Sequence, residues 1–307
     1  MDTLRSQTGR IFDVQRFSLH DGTGIRTTIF FQGCPLRCIW CHNPEGTQAR
    51  PMLSFLKQRC SACGVCTGAC ERGVHTIASG MHLMDRARCT SCGTCTLACP
   101  ANALEIIGRV ASAGDIIDEV RKDETFYRHS GGGLTVSGGE PTQQIDFLEA
   151  ILRLARHNGI HTAIETCGYA PTQNFERILP LVDQFLFDIK ETDPQRHEAL
   201  TGVSNALILS NLRYLHAAGA SVRVRLPLVP GINDSQEHFR AVAALMQQMP
   251  RLSRVQLIAF HNLGESKRAR FGFPPGPLAN KASADRLTIA TWQARFSALG
   301  VDARDTP

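Results

Sequence analysis

The sequence lacks long apolar runs: no stretch approaches the roughly 20 consecutive apolar residues of a transmembrane helix. Residues 1–7 also lack the apolar core and small-residue cleavage site of a secretory signal. Of the 307 residues, 43% are hydrophobic and 20% are charged, as is usual for globular proteins. These features predict a cytoplasmic protein without a membrane partner, long enough for one large α/β domain and a small inserted one.

Cysteine is rare in the second half of the chain and concentrated in the first. Eleven of the twelve cysteines precede Pro100 in three tight groups, and none follows Cys167. Disulfides would explain the count in a secreted protein, but without an export signal, reduced and metal-bound thiolates explain it better. Cys167 belongs to no group and is predicted to be a small buried thiol.

The first group, Cys34, Cys38 and Cys41, has the spacing Cys-x3-Cys-x2-Cys, with Trp40 before the last cysteine. Three thiols at this spacing can bind three irons of a four-iron four-sulfur cluster and leave the fourth iron without a protein ligand. Structural zinc sites and electron-carrying clusters normally have a fourth protein ligand. An iron without one therefore indicates a cluster that binds a reactant and takes part in catalysis. On spacing alone, a zinc half-site or three reduced thiols are the alternatives.

The other two groups lie within residues 51–108, whose composition differs from the rest of the chain. Both have the bacterial ferredoxin spacing, in which the fourth cysteine of each run ligates the cluster of the other run. The pattern predicts an inserted ferredoxin-like domain with two four-iron four-sulfur clusters; zinc knuckles are the alternative. The predicted ligands are Cys60, Cys63, Cys66 and Cys99 for one cluster, and Cys89, Cys92, Cys95 and Cys70 for the other.

A basic stripe with interleaved aromatic residues, typical of nucleic-acid-binding surfaces, is also missing. The formal net charge is +5. Bound clusters would offset it, because a four-cysteine cluster contributes about −2 and a three-cysteine cluster about −1. The metal-loaded protein is therefore predicted to be nearly neutral and not to bind nucleic acid.

Outside the insert, strand and helix patterns alternate. Residues 9–17 predict an edge strand, and residues 27–31 predict the first barrel strand, with the first cysteine group at its carboxyl end. Further strands are predicted at 133–137, 161–166, 184–188, 222–226 and 255–259, and helices at 115–125, 147–159, 173–181, 204–218, 235–248 and 282–299. Repeated β-α units of this number predict an open, partial (β/α)6 TIM-like barrel. Residues 1–50 and 109–307 would form this core around the insert.

The first cysteine group resembles that of the radical S-adenosylmethionine (SAM) superfamily. Nearly the whole chain is similar to one branch, the glycyl-radical enzyme activating enzymes, through Asp21–Arg26, Ser130–Pro141, Asp188–Lys190 and Phe260–Gly264. The resemblance implies an oxidoreductase that reductively cleaves SAM to methionine and a 5'-deoxyadenosyl radical. The radical removes hydrogen from a backbone glycine of a separate glycyl-radical enzyme, so the difficult chemistry belongs to the cofactors.

The resemblance also implies the residues that contact SAM. Gly138 and Gly139 would let the backbone approach the cofactor, and Glu140 would accept a hydrogen bond from its ammonium group. Lys190 would meet the methionine carboxylate, and Asp188 lies on the same face of its strand. The other implied residues are Trp40, Glu165, Thr166, Arg225 and His261.

For two of these sequence features, the residues alone favour an ordinary structural role. Without the family resemblance, the Gly-Gly-Glu-Pro sequence would be an ordinary turn and His261 a core histidine. In the best-known family member, positions matching Glu165, Thr166 and Asp188 surround SAM and a monovalent cation. Glu165 stands where that member has an aspartate, so a cation site is left open here.

The implied partners are a glycyl-radical enzyme, whose glycine loop must enter the open side of the barrel, and a flavodoxin or ferredoxin as electron donor. The two insert clusters would relay electrons or help to hold the partner, and the sequence does not separate these roles. One alternative is a peptide-modifying radical SAM enzyme, although those commonly carry their extra cysteines after the barrel. Another is a three-cluster electron carrier without catalysis.

Overall fold

The structure, a computed structural model, describes residues 1–252 and 254–305. The strands are β1 (Thr8–Ser18), β2 (Arg26–Phe31), β3 (Met52–Phe55), β4 (His75–Ala78), β5 (Met81–Met84), β6 (Leu104–Ile107), β7 (Arg109–Ser112), β8 (Gly133–Gly138), β9 (His161–Thr166), β10 (Gln184–Asp188), β11 (Val222–Leu228), β12 (Val255–Ala259) and β13 (Ala303–Asp305). The helices are α1 (Asp2–Ser6), α2 (Val65–Ala69), α3 (Thr94–Ala98), α4 (Ala113–Arg121), α5 (Glu124–Ser130), α6 (Ile145–His157), α7 (Thr172–Ile178), α8 (Pro194–Thr201), α9 (Ala206–Ala217), α10 (Gln236–Gln248), α11 (Leu263–Phe271) and α12 (Arg286–Ala298).

One large sheet has the strand order β13-β12-β11-β10-β9-β8-β2-β1-β7. From β2 to β13 neighbouring strands are parallel, whereas β1 pairs antiparallel with β2 and β7. Among the described residues, β7 and β13 stand at opposite edges and do not pair, so the sheet is open. The predicted α/β partial barrel is confirmed, and the short strand β13 extends it beyond the six predicted core strands.

The parallel strands are largely buried because both of their faces are covered. All residues of β8 except the last are buried, and α6 buries one apolar face against the sheet. Phe147 of α6 stacks on Phe31 of β2 with ring centroids 5.0 Å apart. No described helix has both the length and the apolar composition needed to cross a membrane. With its faces packed in this way, the sheet presents the carboxyl ends of its strands as the accessible edge.

The helix predicted at residues 115–125 is two helices, α4 and α5. The break falls at Asp123, whose buried side chain accepts hydrogen bonds from Arg16 and, at 2.8 Å, from the Thr27 hydroxyl. These contacts come from β1 and β2, so the local sequence pattern does not reveal them.

The insert forms its own small core of Leu53, Cys66, Cys95 and Leu104. Within it, β3 pairs antiparallel with β6, and β4 with β5. Each short helix, α2 and α3, carries the third cysteine of a ferredoxin run. The insert is therefore built from two similar halves around the cysteines.

Helix α11, which the sequence pattern did not predict, joins the insert to the first cysteine group. Lys267 Nζ donates to Asn43 Oδ1 at 2.8 Å and to Glu45 Oε1 at 2.7 Å, just after that group. Arg270 Nε donates to Ser54 Oγ of β3 at 3.1 Å. Polar contacts of this kind hold a helix that has little apolar surface of its own.

Candidate active site

The cluster loop, residues 32–43, follows β2 at the carboxyl edge of the sheet. The backbone N–H of Arg37 donates to the Thr201 carbonyl at 2.7 Å. Trp40 is buried in a small apolar cluster that includes Phe260. The aromatic residue of the motif therefore anchors the loop to the end of the barrel.

A cavity of about 320 Å³ lies beside this loop and is lined by Cys34, Cys38 and Cys41. Strands β2 and β8–β12 all contribute to its wall. The predicted SAM-contacting residues that line it are Trp40, Gly138, Gly139, Glu165, Thr166, Asp188, Lys190, Arg225 and His261. The structure thus brings together every residue of the predicted SAM set except Glu140.

Glu140 is fully buried and does not line the cavity. Its carboxylate accepts hydrogen bonds from the Thr142 hydroxyl at 2.6 Å, the Thr166 hydroxyl at 2.9 Å and the Cys167 N–H at 2.8 Å. Its oxygens are thus already engaged by protein donors. In this structure the Glu140 carboxylate holds the Thr166–Cys167 turn, and its contact with the SAM ammonium, implied by the family resemblance, stays a prediction.

The two glycines before Glu140 allow the end of β8 to approach the cluster loop. A Cβ atom on Gly139 would lie 2.1 Å from the Gly33 carbonyl oxygen, and Gly138 has a φ of +114°. The Glu140 N–H donates to that same Gly33 carbonyl at 2.8 Å. Their lack of side chains therefore serves backbone packing as well as access to the cavity.

Lys190 and Asp188 form a largely buried ion pair, with Nζ 2.9 Å from Oδ2. Burial lowers the pKa of Lys190, but the charges of Asp188 and Cys38 outweigh it, and the pKa is raised overall. Asp188 Oδ1 is buried and accepts no hydrogen bond from the described residues, and Arg225 Nε lies 3.8 Å from it. A buried carboxylate oxygen without a donor is costly. This pair therefore fits the amino and carboxylate groups of a zwitterionic ligand such as SAM.

Arg225 forms a close ion pair with Glu165, which also accepts a hydrogen bond from Ser137. Burial lowers the pKa of Arg225 to about 10, so it remains charged at neutral pH. The Thr166 hydroxyl already donates to Glu140. The side chains expected around a monovalent cation are therefore engaged, at least in part, by protein groups.

The thiols of the cluster loop have divergent acidities. Burial raises the pKa of Cys38 to about 12 and that of Cys41 to about 11. A hydrogen bond from the Cys167 thiol lowers the pKa of Cys34, and the same bond, with burial, raises that of Cys167. Because buried thiols ionise readily only beside a cation, this donor set fits a metal cluster.

His261 lies at the end of β12 and stacks on His42, with ring centroids 3.9 Å apart and an interplanar angle of 17°. Burial lowers the pKa of His42 to about 4, so its ring is neutral. The sequence reasoning missed His42 and Ser137 as cavity residues. Their positions, directly after Cys41 and directly before Gly138, were the available signals.

The insert cysteines surround two further cavities. Cys60, Cys63, Cys66 and Cys99 line one, here called the first cradle. Cys70, Cys89, Cys92 and Cys95 line the other, the second cradle, of about 260 Å³. The fourth cysteine of each run thus lies with the first three of the other run, which is the crosswise arrangement expected for two ferredoxin clusters.

Sequence comparisons agree with this geometry. The profile of the radical SAM superfamily matches residues 86–243, and that of a 4Fe-4S dicluster domain matches residues 59–104. The trans-4-hydroxy-L-proline dehydratase activating enzyme of Clostridioides difficile is 42% identical, over 84% of this chain and 86% of that protein. The benzylsuccinate synthase activating enzyme of Thauera aromatica is 43% identical, over 85% of this chain and 81% of its own length.

Among solved structures, Streptococcus suis SuiB bound to S-adenosylmethionine is similar with a TM-score of 0.51 and 13% identity. The match covers 89% of this chain and 47% of SuiB and shows a shared fold alone. The relatives of about 40% identity cover most of this chain and most of their own lengths, which is decisive for the family. The chain therefore belongs to the radical SAM superfamily and, within it, to the glycyl-radical enzyme activating enzymes.

Proposed function

We propose that Cys34, Cys38 and Cys41 bind a four-iron four-sulfur cluster and that the cavity beside them binds SAM. The observation that carries this proposal is the convergence of the three thiols with the Lys190–Asp188 pair in one cavity. SAM on such a cluster, once reduced, supplies a 5'-deoxyadenosyl radical that removes hydrogen from a backbone glycine of the partner glycyl-radical enzyme. The protein contributes the positioning of both groups.

Within the cavity, Lys190 would donate to the methionine carboxylate of SAM, because it is charged and lines the wall near the thiols. Asp188 Oδ1, which lacks a donor among the described residues, would accept from the ammonium group. His261, just after the carboxyl end of β12, would contact the nucleoside. Gly138 and Gly139 would complete the wall through their backbone.

Arg225 would take the place of the monovalent cation. Its guanidinium pairs with Glu165 and lies 3.8 Å from Asp188 Oδ1, and these carboxylates match two of the expected cation-site positions. A bound cation there would compete with a charged group that the chain itself supplies. The same region would then be neutralised without an added ion.

The two cradles of the insert would hold the second and third clusters and relay electrons from a flavodoxin or ferredoxin. Support comes from α11, which contacts both β3 of the insert and Glu45 beside the cluster loop. The glycine loop of the partner would enter at the open side of the barrel. Near-contact geometry is required, because hydrogen transfer occurs only between closely positioned groups.

The test is an anaerobically reconstituted Cys34→Ala variant. It should retain the iron of the two insert clusters and form no 5'-deoxyadenosine from SAM under reducing conditions. Cys167→Ala is the control, since Cys167 adjoins Cys34 but is not a proposed ligand, and it should keep all three clusters. Production of 5'-deoxyadenosine by Cys34→Ala would contradict the proposal.

A further inference from the structure

The two halves of the insert differ at two matching positions. His75 and Leu104 each lie five residues after the last cysteine of their run. In the β4–β5 pair, His82 lies opposite Ile77, which is two residues after His75. In the β3–β6 pair, Leu53 lies opposite Ile106, which is two residues after Leu104. One half of the insert therefore has two histidines where the other half has two leucines.

These histidines form a hydrogen-bonded pair that connects the two cradles. His75 Nδ1 lies 2.9 Å from His82 Nε2, and His82 Nδ1 lies 3.6 Å from Cys60 Sγ. His82 lines the first cradle and His75 lines the second. The side chain of His75 is almost fully buried, and its Nε2 has no hydrogen-bond partner among the described residues.

The number of protons on the pair limits what it can donate. A neutral imidazole has one N–H, so the two rings together have two. One N–H is used between the rings, which leaves one for a sulfur atom. When His82 Nδ1 carries that proton, it points at Cys60, and His82 Nε2 then accepts from His75.

A metal ion is the competing explanation. One ligand atom each from Cys66, His75 and His82 lie within 4.8 Å of one another. Cys66, however, also lines the first cradle with three other cysteines, and a four-iron cluster there needs its thiolate. A separate ion on Cys66 would therefore deprive the cluster of a ligand.

We propose that His82, oriented by His75, donates an N–H···S hydrogen bond to Cys60 and raises the reduction potential of the cluster in the first cradle above that in the second. Hydrogen bonds to cluster sulfur favour the reduced form, because reduction adds negative charge. The leucines at the matching positions of the other half cannot donate in this way. This inference rests on the proposed function, since it requires both insert clusters.

The test uses the anaerobically reconstituted full-length enzyme and its His82→Leu variant, which introduces the residue type of the other half. Redox titration followed by electron paramagnetic resonance (EPR) should show a more negative potential for the first-cradle cluster and a much smaller change for the second. His82→Asn, which keeps an N–H near the position of Nδ1, should restore part of the shift. His129→Leu, at an exposed histidine outside the insert, should leave both potentials unchanged.

Pulsed EPR on protein with 15N-labelled histidine supplies a readout that does not depend on the variants. The reduced first-cradle cluster of the unmodified enzyme should show a 15N coupling, and His82→Leu should lose it. Unchanged reduction potentials in fully loaded His82→Leu, or one equivalent of bound zinc in the unmodified enzyme, would overturn this inference and leave the proposed function standing. Iron for only one cluster in the unmodified enzyme would overturn the proposed insert clusters and the inference with them.

Discussion

Replacing Lys190 with methionine removes one cation from the cavity and keeps a side chain of similar length. In the proposed site Lys190 donates to the SAM carboxylate, and a hydrogen bond to a charged group contributes about 1.5–3 kcal/mol. Because 1.4 kcal/mol is a factor of ten in a dissociation constant, the Kd for SAM should rise roughly 10- to 100-fold. The side chain is only 12% exposed, so water compensates little for the loss.

The same substitution leaves Asp188 without its nearest cation, because Lys190 Nζ lies 2.9 Å from Asp188 Oδ2. Loss of one partner from a buried ion pair costs about 3–5 kcal/mol of folding free energy. Arg225 Nε, at 3.8 Å from Asp188 Oδ1, offers partial compensation. A cost near the lower limit, about 3 kcal/mol, is therefore expected in thermal or denaturant unfolding of Lys190→Met.

The affinity is measured under anaerobic conditions by equilibrium dialysis of SAM against the oxidised, reconstituted protein, in which the cluster has no electron with which to cleave SAM. Lys122→Met is the matched control, because Lys122 is 57% exposed and pairs with Glu119 on the surface. It should change neither affinity nor stability appreciably. An unchanged Kd for SAM in folded, fully loaded Lys190→Met would refute the role assigned to Lys190.

Three further predictions follow from neighbouring contacts. Gly264→Ala should lower the iron content of the cluster loop, since its Cβ would lie 2.7 Å from the Cys41 carbonyl oxygen; normal iron would contradict this packing. Arg225→Ala should make SAM binding depend on potassium or sodium, which titrations with and without the salt would reveal. Burial opposes ionisation of Glu191, but hydrogen bonds, chiefly with His238, lower its pKa from 4.5 to about 2. Its stabilisation, on the order of 3 kcal/mol, is present above pH 4.5 and should disappear towards pH 2. In Glu191→Gln, the free energy of unfolding measured against pH should lack this decrease between pH 4.5 and pH 2.

The parallel core was predictable because strand patterns alternate with helical segments along the chain. Strands β9, β10 and β12 have the predicted bounds. Helix α11 was not predictable, since Lys267 and Arg270 hold it through contacts with distant segments. The periodicity of apolar residues within a segment does not reveal contacts with distant segments.

The residues of the candidate site were predictable where a charged or polar side chain lies at or just after the carboxyl end of a predicted strand. Asp188 and Lys190 were placed at the barrel mouth by strand alternation, and both line the cavity. The direction of the Glu140 side chain was not predictable, because its hydrogen-bond donors include Thr166 and Cys167, which belong to the next β-α unit. The pairing of His75 with His82 depends likewise on the register of the hairpin formed by β4 and β5.

The position of α11 has a consequence for any attempt to separate the insert from the core. Arg86 of the insert donates to the Arg270 carbonyl at 2.8 Å, and Arg270 donates to Ser54, so two separate segments of the insert hold this helix. The same helix holds Glu45 through Lys267. A chain shortened by removal of the insert would lose two clusters and also the lateral support of its cysteine loop. Loss of SAM cleavage in such a chain would therefore not distinguish electron supply from mechanical support, whereas single ligand substitutions would.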